Sequence, residues 1–319
     1  MVNRKNPAFR RILAVSYDKP FSPTAQTPRS LLRPTHGRPG TGTGLAVCMA
    51  VAAMISVQTG VSLAVPVILD HGALSTSGLR VCWAALALLL IVRPPLHRYG
   101  LAQWRAALIL GAAMAIMSLA FFLAIQRLPQ HLAVALEFCG PLTVAALGAR
   151  GRRAWIWPVL AAAGIGLLVW GDAHASGGAD PVEIAFALLA AAGWGVYIVM
   201  MKKVGHGFPG LQGLTVSLAV AALLSLPFAA VETGTLRFPW EQIAWTAGLA
   251  VLVPLVPYVL ELNALRRLPT AMFGVLMSLE PAIGATAGWL LLGQGMSMGQ
   301  MLGTALVVAA SIGVVRAGR

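Results

Sequence analysis

From residue 45 onward the chain is a succession of long apolar runs, separated by short polar or basic clusters. A helix needs about 20 apolar residues to cross a bilayer. Ten windows of that length predict ten membrane helices: 45–69, 74–92, 104–126, 131–149, 154–170, 182–201, 210–231, 242–264, 270–292 and 296–315. Gly293-Gln294-Gly295 predicts a tight turn between the last two. The second window contains Arg80 and the fourth contains Glu137, so these two depart most from the apolar pattern.

Composition agrees with the pattern. Of 319 residues, 58% are hydrophobic and 10% charged, and mean hydropathy is +0.79. Soluble domains carry about 25% charged residues, so a water-soluble enzyme is excluded. The 34 Gly and 20 Pro follow no collagen-like period. The fold class is an all-α integral membrane protein.

Charge changes the picture in two ways. The net charge of +13 would suggest nucleic acid in a soluble protein. In a membrane protein it reads instead as cytoplasmic enrichment of Lys and Arg, and no nucleic-acid partner is expected. With the N-terminus inside, 20 of the 23 basic residues fall in cytoplasmic segments. Only Arg127 and Arg237 lie in outside loops, which predicts both termini in the cytoplasm. Residues 1–44 hold eight basic residues, one acid and six prolines, and are expected to be a basic, disordered tail near anionic lipid. No signal peptide is read there, because the first long apolar run begins at Leu45 and has the length of a full span.

The order of motifs suggests duplication. Arg127-Leu128-Pro129 precedes the fourth window, and Arg267-Leu268-Pro269 precedes the ninth, 140 residues later. Pro141 and Pro281 share that offset, and His71-Gly72 matches His206-Gly207 at an offset of 135. Two copies of five spans, 45–170 and 182–315, account for this. Because five is odd, the second copy must cross in the opposite sense, which is the inverted repeat of many secondary transporters.

Candidate chemistry lies within the spans. Pro141 and Pro281 cannot donate to the carbonyls four residues back, so both helices are expected to kink and free backbone acceptors near mid-membrane. Glu137 and Glu280 stand beside these kinks. An ionised group at mid-bilayer costs about 2.5–3.5 kcal/mol on insertion scales, so a carboxylate there is a functional candidate. Both are read as carriers of a proton or a substrate ammonium. Glu261, five residues before Arg266, is expected either to pair locally and reach the interface or to serve the site. Arg80 is read as snorkelling to the outer interface, with a substrate carboxylate as the alternative partner. Gln58, Trp194 and Tyr197 occupy corresponding helices and are candidate cavity-lining groups. Gly284-x-x-x-Gly288, with Gly295, Gly299 and Gly303, permits close helix contact, within the chain or in a homodimer.

No Walker A motif, catalytic triad or metal-ligand spacing is present, so no enzyme, cofactor or metal is expected. Cys48, Cys82 and Cys139 have no CxxC partner and read as buried free thiols.

The segments Val134-Ala135-Leu136-Glu137-Phe138-Cys139-Gly140-Pro141-Leu142 and Leu268-Pro269-Thr270 through Glu280-Pro281-Ala282 resemble the EamA branch of the drug/metabolite transporter superfamily. Within it they are most similar to bacterial threonine/homoserine exporters. Ser56-Val57-Gln58-Thr59-Gly60 and Gly193-Trp194-Gly195-Val196-Tyr197 resemble the same group. The resemblance implies proton-driven export of small amino acids across a bacterial inner membrane. The third window departs from it, with Ser118-Leu119-Ala120-Phe121-Phe122 where Asn and Tyr would be expected. Export of another metabolite or drug is the alternative on the same fold. A passive channel or non-transporting scaffold is the alternative of another class.

Overall fold

The computed structural model describes residues 41–148, 156–175, 180–235, 237–265, 267, 268, 273 and 276–317. Of the tail expected over 1–44, residues 1–40 lie outside the described residues, as do Arg150, Arg152, Arg153, Arg266 and the start of the ninth window with Pro269 and Thr270, whereas residues 41–44 are helical rather than disordered. Among the described residues there is no strand.

The helices are α1 (Thr41–His71), α2 (Ala73–Val92), α3 (Leu101–Ile125), α4 (Gln130–Glu137), α5 (Cys139–Gly148) and α6 (Ile156–Ala175). They continue as α7 (Pro181–Gly207), α8 (Gln212–Thr233), α9 (Trp240–Ala250), α10 (Val256–Leu265), α11 (Glu280–Leu292) and α12 (Met298–Ala317). Helix is found in each of the ten windows. Among the described residues, six stretches are long and apolar enough to cross a membrane unaided: α1, α2, α3, α7, α8 and the composite from Trp240 to Leu265.

Lipid tails are as apolar as leucine, so close packing and internal polar contacts must hold such helices together. Leu63, Leu69, Leu86, Leu90, Ile116, Leu223 and Leu290 face outward. Ser75, Thr76, Ser77, Thr215, Ser217 and Thr246 are wholly buried. Many hydroxyls bond to the carbonyl four residues back, as Thr215 does to Leu211 (2.9 Å) and Ser217 to Gly213 (2.9 Å), so they cost little to bury.

α3 packs on α7 and α8, α2 on α8 and α9, α6 on α12, α1 on α10 and α11, and α4 and α5 on α7. Two glycines make particular contacts possible. A side chain on Gly140 would overlap the Ala191 carbonyl, so only glycine lets α5 lie this close to α7. Gly72 turns α1 into α2 with φ +98°, a conformation other residues avoid. Beside it, the Glu232 carboxylate from the end of α8 accepts from the Leu74 (3.1 Å) and Ser75 (2.7 Å) amides and caps α2.

Among the described residues, three spans are discontinuous. The fourth stops at Glu137, turns at Phe138 and resumes at Cys139, with Pro141 third in the new segment. The ninth turns at Ser278-Leu279 and resumes at Glu280 with Pro281 next. The eighth has a wide turn, Val251–Leu255, in which Val253 is extended (φ −148°, ψ 112°) before a cis Pro254. The Val256 amide there donates to the Val251 carbonyl, five residues back.

Candidate functional site

The three breaks converge on one cavity, whose empty space, open mouth included, is ≈ 630 Å³. All seven candidate residues line it: Gln58 from α1, Arg80 from α2, Glu137 from the end of α4, Trp194 and Tyr197 from α7, Glu261 from α10 and Glu280 from the start of α11.

Arg80 does not snorkel. It is only 4% exposed and turned inward. The break at Val253 frees a carbonyl that accepts from Arg80 Nη1 at 3.0 Å. Nη2 donates to Ser118 Oγ, which also contacts Ser77 Oγ at 2.7 Å. The guanidinium carbon lies 4.1 Å from the centre of the Phe122 ring, a cation–π arrangement that stabilises a desolvated cation. These internal partners outweigh the pull of the interface. Arg80 Nε has no hydrogen-bond partner among the described residues.

Glu280 is 5% exposed. Its Oε1 accepts from Gln58 Nε2 at 3.4 Å, and its Oε2 has no hydrogen-bond partner among the described residues. Glu261 faces the cavity and accepts from the Tyr197 hydroxyl at 3.2 Å. The Tyr197 ring stacks on Tyr258 with centroids 5.5 Å apart. Glu137 is half-buried and lies within electrostatic reach of Arg80. Trp194 meets the edge of Phe138 at 5.8 Å.

The cavity also contains groups not expected from the sequence: Tyr258, Ser118, Phe122 and the Val253-Pro254 break. The closely spaced prolines of Val253-Pro254-Leu255-Val256-Pro257-Tyr258 were the available signal for the break. Of the glycine motif, Gly284, Gly288 and Gly303 pack within the chain, whereas Gly295 has open space around it and Gly299 meets only Ser297. A Cβ on Gly284 would lie 2.9 Å from Gln58 Oε1, and one on Gly303 would lie 2.7 Å from the Gly164 carbonyl. The three cysteines are free; Cys48 is exposed on the helix surface rather than buried. Among the described residues no group of His, Cys, Asp or Glu could hold a metal ion.

Three carboxylates thus share one largely apolar cavity with one guanidinium. Such a chamber can receive a zwitterion, with its ammonium toward the acids and its carboxylate toward Arg80, or it can take up protons.

Residues 182–316 match the EamA-like transporter family. The threonine/homoserine exporter RhtA of Escherichia coli (strain K12) is 35% identical over 269 residues, covering 84% of this chain and 90% of that protein. The exporter of the same name from Salmonella typhimurium (strain LT2) is 36% identical with the same coverage. A crystal structure of a protein only 15% identical superposes with a TM-score of 0.60, covering 84% of this chain and 94% of that one.

Proposed function

The chain belongs to the EamA-like transporter family, and from that premise we propose that it exports small amino acids such as threonine and homoserine in exchange for protons. The observation carrying this reading is the meeting of Glu137, Glu261, Glu280 and Arg80 in one cavity. In this mechanism the substrate carboxylate joins Arg80 and Ser118, while its ammonium displaces a proton from Glu280 or Glu137. Reopening to the other side releases the substrate, and an external proton takes its place. A desolvated charge left unpaired is costly, so the chamber returns only when loaded with one or the other.

Alternating access needs two states of similar energy. We read the protein as two five-helix repeats, 45–170 and 182–315, crossing in opposite senses. The packing supports this: exchanging spans one to five for six to ten carries α3-on-α7 into α10-on-α1, and α5-on-α7 into α11-on-α1. The contacts α2-on-α8 and α6-on-α12 map onto themselves. The charge bias supports cytoplasmic termini at a bacterial inner membrane, with the basic tail that precedes α1 at the lipid surface.

The test uses purified protein in liposomes preloaded with labelled threonine. Efflux accelerated by an inward proton gradient is expected. Threonine efflux indifferent to the gradient would overturn the antiport. No threonine movement in folded protein would overturn the substrate.

A further inference from the structure

At one end of the cavity a chain of amides runs from half-buried Gln294, in the turn after α11, through buried Gln130 and Gln58 to Glu280. Gln130, the first residue of α4, is 0% exposed, and Ser62 and Gln58 are 1% and 2%. The Gln130 backbone amide donates to Gln294 Oε1 at 2.9 Å. Gln130 Nε2 donates to the Gln58 backbone carbonyl at 3.1 Å and to Gln58 Oε1 at 3.0 Å. Ser62 Oγ lies 2.7 Å from Gln130 Oε1. Glycines 284 and 288 bring α11 against these side chains, with a Cβ on Gly288 only 3.0 Å from Gln294 Oε1.

The directions of the Gln130 and Gln58 side-chain amides follow from one group. A backbone carbonyl only accepts, so the carbonyl of residue 58 obliges Gln130 to present its Nε2. The second hydrogen of that nitrogen then obliges Gln58 to present its oxygen to Gln130, and therefore its own amide hydrogens to Glu280. Gln130 does not line the cavity, yet it determines that Glu280 meets a donor. At the corresponding places in the second half the sequence has Thr270, 140 residues beyond Gln130, and Gly193, 135 residues beyond Gln58. The relay therefore belongs to one end of the molecule.

We propose that Gln130 is a positioning residue that aims the Gln58 amide at Glu280, so that the seal at this end loosens when Glu280 takes up a proton. A hydrogen bond to an ionised acceptor is about twice as strong as one to a neutral acceptor. Loss of the charge therefore weakens the last link between α1 and α11. The other titratable or charged groups facing Glu280 are Glu137 on α4, Arg80 on α2, Tyr197 on α7, and Tyr258 and Glu261 on α10, with His131 beside Gln130. The proposal rests on the reading of Glu280 as the proton carrier and of this end as the outer one.

The test does not depend on the substrate. The full chain carries Cys48→Ser, Cys82→Ala, Cys139→Ala and Val61→Cys, which places one thiol on the cavity wall a turn beyond Gln58 on α1. A membrane-impermeant maleimide is applied to spheroplasts at external pH 5.5 and 8, and rates are normalised to the denatured protein at each pH. Labelling of this parent is expected to be about tenfold faster at the lower pH. Gln130→Met and Gln58→Leu should each label fast at both values, and Glu280→Gln should remove the pH response. Ser62→Ala leaves the Gln58 carbonyl in command of the relay and should keep the parent's response. Parent-like labelling in both Gln130→Met and Gln58→Leu would overturn the proposal. So would fast labelling of Gln130→Met that stays pH-dependent, since Gln130 would then be only a plug. A pH response surviving Glu280→Gln would assign it to Glu137 or Glu261 and also overturn the proposal. The expected pattern seen only in inside-out vesicles would uphold the relay and overturn the orientation. Should Gln130→Met fail to fold, Gln58→Leu cuts the same relay and decides the question.

Discussion

The two carboxylates that accept side-chain hydrogen bonds in the cavity are held by different chemistry. Glu280 meets the amide of Gln58, within a relay of Gln58, Gln130 and Ser62 in which each donor has an assigned direction. Glu261 meets a phenol, and that phenol is backed by a stacked tyrosine. An amide chain is directional and loses every link when one member turns. A stacked ring pair tolerates sliding, because its attraction depends only gradually on offset. One cavity can therefore be closed firmly at one carboxylate and adaptably at the other.

The strongest way to break the comparison is Glu280→Gln. Removing a buried charge partner is worth about 3 kcal/mol, so gradient-driven threonine efflux should fall about a hundredfold, with helix content unchanged by circular dichroism. An equal loss in Glu261→Gln would mean that the two carboxylates are equivalent in function despite their different partners. Arg80→Lys comes next. Lysine keeps the charge but lacks the planar fork that reaches both the Val253 carbonyl and Ser118, so the threonine KM should rise about tenfold. Gly140→Val tests the close approach of α5 and α7. Overpacking there should destabilise the protein by about 1–3 kcal/mol, read as a lower melting temperature in detergent. Tyr197→Phe is the mildest change, since it keeps the stacking and deletes one hydrogen bond. About 1 kcal/mol, or a fivefold fall in efflux, is expected, well below the loss in Glu280→Gln.

Much of this arrangement was legible in the sequence, for reasons that also explain what was not. A carboxylate inside an apolar run stands out, which is why Glu137, Glu261 and Glu280 were found. Pro141 and Pro281 each lie just beyond a break for the same covalent reason that singled them out. Tyr258 and Ser118 were not legible as cavity groups, because single hydroxyls are ordinary in membrane helices and usually bond to their own backbone. Gln130 stands one residue before the apolar window that begins at 131, where a polar residue looks like an interface. The fate of Arg80 could not be read from its own helix. It depends on a carbonyl released 173 residues away at Val253 and on the face of Phe122.

That released carbonyl belongs to a stretch with a distinctive solvent signature. Across Val251–Leu255 the ladder of backbone hydrogen bonds is interrupted at the wall of a cavity, while α9 and α10 on either side are continuous. Deuterium from bulk water should therefore enter the backbone at the middle of this span sooner than at its flanks. A membrane helix ordinarily exchanges fastest where it frays at its ends. Here the fast-exchanging amides would lie at its centre, marking from within the bilayer how often the chamber fills with water.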